Sequence, residues 1–332
     1  MSDARFDVLG IGNALVDVLA HSSDDFLTEN GIAKGTMNLV DAERATALYG
    51  KMEPAVEISG GSAANTMVGI AELGGRAAYV GKVKADQLGE VFAHDIRAAG
   101  VSYTVDMAPE GEPSGRCLIM VTPDAQRSMN TFLGASSTLS PADVRADDVA
   151  ASEVTYLEGY LFDPAPAKEA FYKAANIAHQ ADRKVSLTLS DPFCVDRYRD
   201  EFLHLIETEV DILFANEAEL KSLYQTSSFD DGLQALMHHC PMAGLTRSEH
   251  GSVVLWNDEV HVIAAKPVGK VVDTTGAGDA YAAGFLFGLA KGKDAKTCGQ
   301  LGSMAAAEII SHFGARPEAD LKALAKEAGL ME

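Results

Sequence analysis

Hydrophobic and polar positions along this chain fall into blocks whose period switches between continuous, two-fold and helical. Phe6–Gly12 is a largely apolar run ending in glycine, as a strand buried on both faces would be. Ser62–Leu73 has helical spacing, with Ser62 placed to cap its start and Gly74-Gly75 to stop it. Ala77–Val83 reads as a strand and Gln87–Ala99 as a helix closed by Gly100. Ser140-Pro141 opens another helix, with proline at the tolerated first position. From Val154 the alternation is regular. Strand Val154–Leu157 precedes helix Ala165–Ala181, strand Val185–Leu189 precedes helix Arg197–Thr208, and strand Ile212–Ala215 precedes a helix after Asn216. This order predicts βαβ units and an α/β fold: a mostly parallel sheet flanked by helices.

Two stretches break the rhythm. Residues about 21–40 and 102–135 carry strand-like pieces without helices between them, and Ser114–Thr122 and Ser128–Leu133 have the pattern of antiparallel strands. They predict a small β-sheet drawn from about 14–40 and 102–138, projecting from a single domain that spans 1–332. Its natural use is as a lid over the ends of the parallel strands, where α/β folds bind ligands.

Composition narrows the function. At 47% hydrophobic and 23% charged, the chain is of globular type rather than disordered. Its net charge is −21, from 27 basic and 48 acidic side chains. That disfavours a nucleic-acid partner, which needs a basic face, and an anionic membrane surface. Cys117, Cys194, Cys240 and Cys298 lie too far apart in sequence for a CxxC pair, against a cysteine-built zinc or iron–sulfur centre. Met1–Asp7 is acidic rather than basic, and the longest uncharged apolar run, Ala280–Ala290, is eleven residues, too short for a bilayer. A soluble cytoplasmic protein with reduced thiols is expected.

The chemistry concentrates in Asp273-Thr274-Thr275-Gly276-Ala277-Gly278-Asp279-Ala280, which follows strand-like Val271-Val272 and opens the helix Ala280–Ala290. Gly276 and Gly278 let backbone N–H groups approach a ligand, and the helix start adds partial positive charge, so together they form an anion site. Asp279, in the first turn, would repel a bound phosphate unless it serves as a general base beside a transferring phosphoryl group. The bland alternative is a capping carboxylate with turning glycines. Other motifs fail: Gly10-Ile11-Gly12 lacks the third glycine of GxGxxG, and neither GxxxxGK[ST] nor GxSxG occurs. The stretch 262–293 carries four lysines against two aspartates, so anion chemistry here rests on local devices in an acidic chain.

The longer run DTTGAGDAYAAGF, Asp273–Phe285, resembles the signature of the ribokinase-like carbohydrate kinases, the PfkB family. Gly60-Gly61-Ser62-Ala63-Ala64-Asn65 resembles its other signature, about 210 residues upstream. Within the family the chain is most similar to adenosine kinases, through Gly12-Asn13-Ala14-Leu15-Val16-Asp17, Ser186–Phe193 and Asp211–Glu219. The likeness runs from about residue 6 to about 316. It implies a ribokinase-like fold, ATP and Mg2+ as cofactors with K+ left open, and a place in purine salvage. The implied reaction phosphorylates the 5′-hydroxyl of a nucleoside, adenosine to AMP. A monomer or a homodimer paired through the lid is implied as well.

By this resemblance Asp279 is the base, while Gly276, Ala277 and Gly278 stabilise phosphoryl charge and Arg127 neutralises it from the lid. Asn13 and Asp17 hold the ribose diol, with Gly60, Gly61 and Asn65 around the same sugar. Asn216 and Glu219 order Mg2+ through water, their spacing putting both on one helix face. ATP is expected against Asn216, Thr246, Ser248, Gly251, Thr275, Gly276, Gly278, Ser303 and Ala307. Ser248 stands where the family's TxGxxG has its middle glycine. A substrate base needs apolar lid residues, for which Met37, Leu39, Met129, Tyr160 and Phe162 are candidates. Two alternatives stay open. One is a sugar kinase for ribose, fructose or a related acid, which Thr275 and Asp191 favour as departures from the adenosine kinases. The other is a catalytically silent nucleotide-binding regulator, which an intact Asp279 disfavours.

Overall fold

The computed structural model describes residues 4–332 apart from 125 and 163. Its main sheet has nine strands. In spatial order they are Glu259–Ile263, Ser252–Trp256, Met242–Thr246, Ile212–Asn216, Lys184–Thr188, Ser152–Glu158, Phe6–Ile11, Ala77–Val80 and Ser102–Tyr103. From Met242–Thr246 to Ser102–Tyr103 every pairing is parallel, and the far edge is an antiparallel hairpin. The central strands are buried on both faces because helices cover both, which suits apolar runs such as Ile212–Ala215.

A second sheet of five strands has the order Met37–Leu39, Arg127–Phe132, Gly115–Val121, Leu15–His21 and Val56–Gly60. The Gly115–Val121 and Arg127–Phe132 strands pair antiparallel, at nearly the bounds the alternation predicts. The sheet joins the core at two places that carry motifs. Strand Phe6–Ile11 runs through Gly12-Asn13-Ala14 into Leu15–His21, and strand Val56–Gly60 runs through Gly61 into helix Ser62–Glu72. Its two faces differ. Val16, Val18, Leu118 and Met120 belong to the main core, which also holds Leu27 of helix Asp24–Glu29 and Ala45 and Leu48 of helix Ala42–Tyr49. Leu15, Leu19, Cys117, Ile119 and Val121 form a separate apolar cluster on the opposite face.

Several sequence expectations shift. Strand Val56–Gly60 lies outside the two predicted lid segments; it is short and its first residues, Val56 and Glu57, are exposed. Helix Asp24–Glu29 interrupts the stretch read as strands alone; the Ser23 hydroxyl caps it. Ser102–Tyr103 joins the main sheet, not the lid. Val271-Val272 forms no strand. Ser140-Pro141 opens a single 3-10 turn, Pro141–Asp143. The helix expected from Arg197 begins at Pro192, capped by Asp191 and interrupted by non-helical backbone at Tyr198.

Candidate active site

The two sheets and the start of helix Ala277–Ala290 enclose a cavity of 740 Å3. At its phosphate-type end, Gly276 occupies the position before the helix in a left-handed conformation, φ +77°, and an added Cβ would stand 2.6 Å from the Ala315 Cβ. Only glycine meets both conditions. Fully buried Asp273 fixes this loop. One carboxylate oxygen accepts from the Thr275 N–H (2.9 Å) and hydroxyl (2.7 Å), the other from the Gly314 N–H (3.0 Å). The Thr275 hydroxyl is thus committed to the loop, although Thr275 lines the cavity. Gly278 faces open space, so it puts no side chain over the helix start, where the Ala277 N–H bonds the Thr274 carbonyl at 3.3 Å.

Asp279 projects into the cavity from the first turn. Its Oδ1 accepts from the Ser62 hydroxyl (2.6 Å) and its Oδ2 from Asn65 Nδ2 (3.2 Å). Burial raises its pKa above the usual carboxylate value, opposed by those two bonds and by Arg127 and Arg316. Ser62 is therefore not the helix cap that its position suggests. Gly61 holds that position, and the Ser62 hydroxyl serves Asp279. Asn65 Oδ1 is buried without a protein partner beside this carboxylate.

The diol end is built from the two lid connections. Asn13 donates to Glu158 Oε1 (2.9 Å) and accepts from the Ser136 hydroxyl (3.0 Å). Asp17 is pushed up to about 7 by burial; Arg316 and a bond from Gly61 act against this, and Asp279 adds to it. Gly61, at φ +96°, passes so close to Asn13 that a Cβ would lie 2.1 Å from its carbonyl oxygen. Gly60 does not line the cavity. A Cβ there would sit 2.1 Å from the Asp17 carboxyl, so this glycine makes room for Asp17 rather than approaching a sugar.

Strand alternation explains the lid wall. Asp17 pairs with Cys117, Cys117 with Thr131, Ile119 with Met129, and Met129 with Met37, so one face carries them all. Leu15, Cys117, Ile119 and Thr131 line the cavity beside the expected Met37, Leu39 and Met129. Leu15 falls within the Gly12–Asp17 motif, which does not mark it as a wall residue, and no motif marks the other three; counting in steps of two from Asp17 on its strand and from Met129 on its strand would have found Leu15 and Thr131. Tyr160 also lines the cavity, its hydroxyl bonded to the Ser190 carbonyl at 3.2 Å. Phe162 does not. It is buried in the core with its ring stacked on Phe202 at 4.2 Å, because the turn after Glu158 aims it away.

Arg127, at the start of its lid strand, donates to the Thr274 carbonyl at 2.5 Å and so links lid to anion loop. Asn216 and Glu219 form a reciprocal capping box on the cavity wall: Glu219 Oε2 accepts from the Asn216 N–H (2.9 Å) and Oε1 from its amide (2.6 Å). Burial pushes Glu219 up to about 7. Among the described residues no group of three or more His, Cys, Asp or Glu could hold a metal ion. One carboxylate and one amide fit a hydrated Mg2+ held through water, and do not fit a stripped ion. Thr246, Ser248 and Gly251 line the far end, opposite Ser303 and Ala307 of helix Ala295–Ile309. Ser248 takes the left-handed backbone, φ +50°, that a glycine would have adopted there.

Sequence reasoning passed over Glu158 and Arg316. Glu158 ends a core strand, lines the cavity, bonds Asn13 and the Ala63 N–H, and is pushed up to about 7 by burial. A carboxylate closing an apolar strand was its only sequence signal. Arg316, after the last core helix, had none. All four cysteines are buried and none forms a disulfide, and no helix among the described residues is long and apolar enough to cross a membrane.

A buried carboxylate aimed across a glycine-opened helix start, under a sheet lid, is the arrangement of a phosphotransferase. Residues 36–321 match the model of the pfkB family carbohydrate kinases, and the chain belongs to that family. It is a kinase of the adenosine kinase-like kind. The solved adenosine kinase from Sinorhizobium meliloti is 53% identical, with a TM-score of 0.95, covering 98% of this chain and 100% of that one. A probable sugar kinase from Rhizobium etli CFN 42 is 52% identical, with a TM-score of 0.96, over 99% of this chain and 100% of that one. Adenosine kinase of Saccharomyces cerevisiae is 27% identical over 326 residues, 92% of this chain and 94% of the yeast protein. Family membership implies ATP use.

Proposed function

We propose that the protein transfers the γ-phosphoryl group of ATP to the 5′-hydroxyl of a nucleoside, adenosine being the substrate that the site favours. The observation that carries this reading is the apolar lid wall of Leu15, Ile119, Met37 and Met129 beside Asp17. A free sugar has no surface to bury there, whereas a nucleoside presents a flat base next to its diol. Asp17 and Asn13 accept and donate to the 2′- and 3′-hydroxyls, and the free oxygen of Asn65 takes a further sugar hydroxyl. Asp279 accepts the 5′-hydroxyl proton as that oxygen bonds to the γ-phosphorus. The bond from that phosphorus to the bridging oxygen breaks, and ADP leaves. The N–H groups of the 276–279 turn and Arg127 stabilise charge on the transferring group. Asn216 and Glu219 would orient waters of Mg2+, which when bound neutralises phosphate charge.

A second reading, a sugar kinase, is favoured by Glu158, whose carboxylate on the cavity wall offers another acceptor for hydroxyls. ADP release measured with MgATP and adenosine, guanosine, inosine, ribose or fructose separates the two. Turnover of adenosine with AMP as product is expected; turnover of free sugars alone overturns the nucleoside reading.

A further inference from the structure

Behind the passage from lid to core lies a contact set that the reaction above leaves unused. Arg316 donates through Nε to the Ser59 carbonyl (3.1 Å), through Nη2 to the same carbonyl and to the Ser59 hydroxyl (2.8 Å), and through Nη1 to the Ala64 carbonyl (3.5 Å). From the other side Asp95, on helix Gln87–Ala98, accepts from the Ser59 N–H (2.9 Å) and hydroxyl (2.5 Å). Two side chains from outside the site thus hold every polar atom of the residue preceding Gly60-Gly61. That dipeptide seats Asp17: Gly60 leaves the space for its carboxyl, and Gly61 bonds it. Arg316 lies behind the cavity wall, yet its charge faces Asp17, Asp279 and Asp95.

We infer that Arg316 is a positioning residue for substrate binding, one that clamps the Gly60-Gly61 passage against Asp17 and turns its positive charge toward that carboxyl. The inference rests on the reading that Asp17 binds the diol. The groups facing Asp17 are the Gly61 N–H at the lid connection, Asp279 on its helix, Cys117 on the neighbouring lid strand, Tyr79 on a core strand, and Arg316. Cys117 and Tyr79 are held neutral by burial, and Asp279 opposes ionisation. Arg316 is the cation in this set, so its removal drives the Asp17 carboxyl further upward.

The test uses Arg316→Met, Arg316→Gln and Arg316→Lys. Carboxyl 13C NMR, with the Asp17 signal assigned through Asp17→Asn, reads the titration without any substrate. In Arg316→Met, or Arg316→Gln if the former does not fold, the Asp17 midpoint should rise by about one pH unit or more. With adenosine and MgATP, KM for adenosine should rise about ten-fold with a smaller change in kcat. Arg316→Lys should return the midpoint toward wild type and leave KM raised, since it keeps the charge but not the fork. A lower melting temperature with an unmoved Asp17 midpoint overturns the inference and leaves Arg316 a structural residue. Wild-type protein that does not turn over adenosine overturns the nucleoside reading instead, and the NMR midpoint still decides the role of Arg316.

Discussion

The two ends of the cavity are built on opposite plans. At the anion end the backbone does the work. A left-handed glycine, a helix start and a buried carboxylate that fixes the loop present N–H groups from one contiguous run, 273–279. At the lid end, side chains do it. Asp17, Cys117, Met129 and Met37 come from four strands spread over a hundred residues and meet because sheet pairing aligns them. A site made of backbone tolerates almost no change in sequence, since each residue is there for its conformation or its absence of a side chain. A site made of strand side chains keeps its frame while individual positions vary. On the proposed function, chemistry would belong to the first end and selectivity to the second.

The largest expected effect breaks the anion end. Asp279→Asn keeps shape and can still bond Ser62 and Asn65, but cannot accept the hydroxyl proton. Turnover should fall about 10²- to 10⁴-fold, with ATP binding retained by titration calorimetry. Near-normal kcat in that variant would remove Asp279 as the base.

Motif reading reached the cavity wall where the physics demands contiguous residues. Gly276 and Asp279 were visible because one turn must supply both an open backbone and a carboxylate, and Gly61 because the lid connection has no room for a side chain. The parallel core was visible because strands covered on both faces must be apolar throughout. The lid wall was not. Cys117 and Ile119 sit in an unbroken apolar run, Cys117–Val121, until pairing says which face lines the cavity. Phe162 failed for the same reason: an aromatic one turn past a site strand has two directions to point, and packing on Phe202 decided. Val56–Gly60 escaped because its alternation, Val56 and Ile58 against Glu57 and Ser59, is only four residues long at a half-exposed sheet edge. Arg316 and Glu158 act through tertiary contacts alone, which no local pattern encodes.

The next effect lies where the two plans meet. Both Asp17 and Asp279 have raised pKa values, Asp17 at about 7, and in the proposed reaction each acts in its ionised form. A carboxyl whose pKa is raised gains its proton earlier as pH falls, so kcat/KM for adenosine should drop on the acid side through about pH 7. Asp17→Asn should raise KM for adenosine about 10- to 100-fold, the range for losing bonds to a charged acceptor, with KM for ATP little changed. It should also leave an acid limb governed by one proton fewer. A limb unchanged in steepness would place the titration elsewhere, and an unchanged KM would sink the diol role.

The smallest effect tests the lid alone. Met129 faces Ile119 and Met37 across the wall, and its flexible thioether suits a surface that must adapt to a flat ring. Met129→Ala removes apolar area that only a base would cover. At the usual value per buried methylene this is about 1–2 kcal/mol, so KM for adenosine should rise about 5- to 30-fold while kcat changes little. The anion loop should not register the change, because its geometry is set by Asp273 and Gly276, not by the lid face. A fall in kcat equal to the rise in KM would mean that the lid also sets the alignment of the 5′-hydroxyl through the Arg127–Thr274 contact, and the division between chemistry and selectivity would then be one of degree.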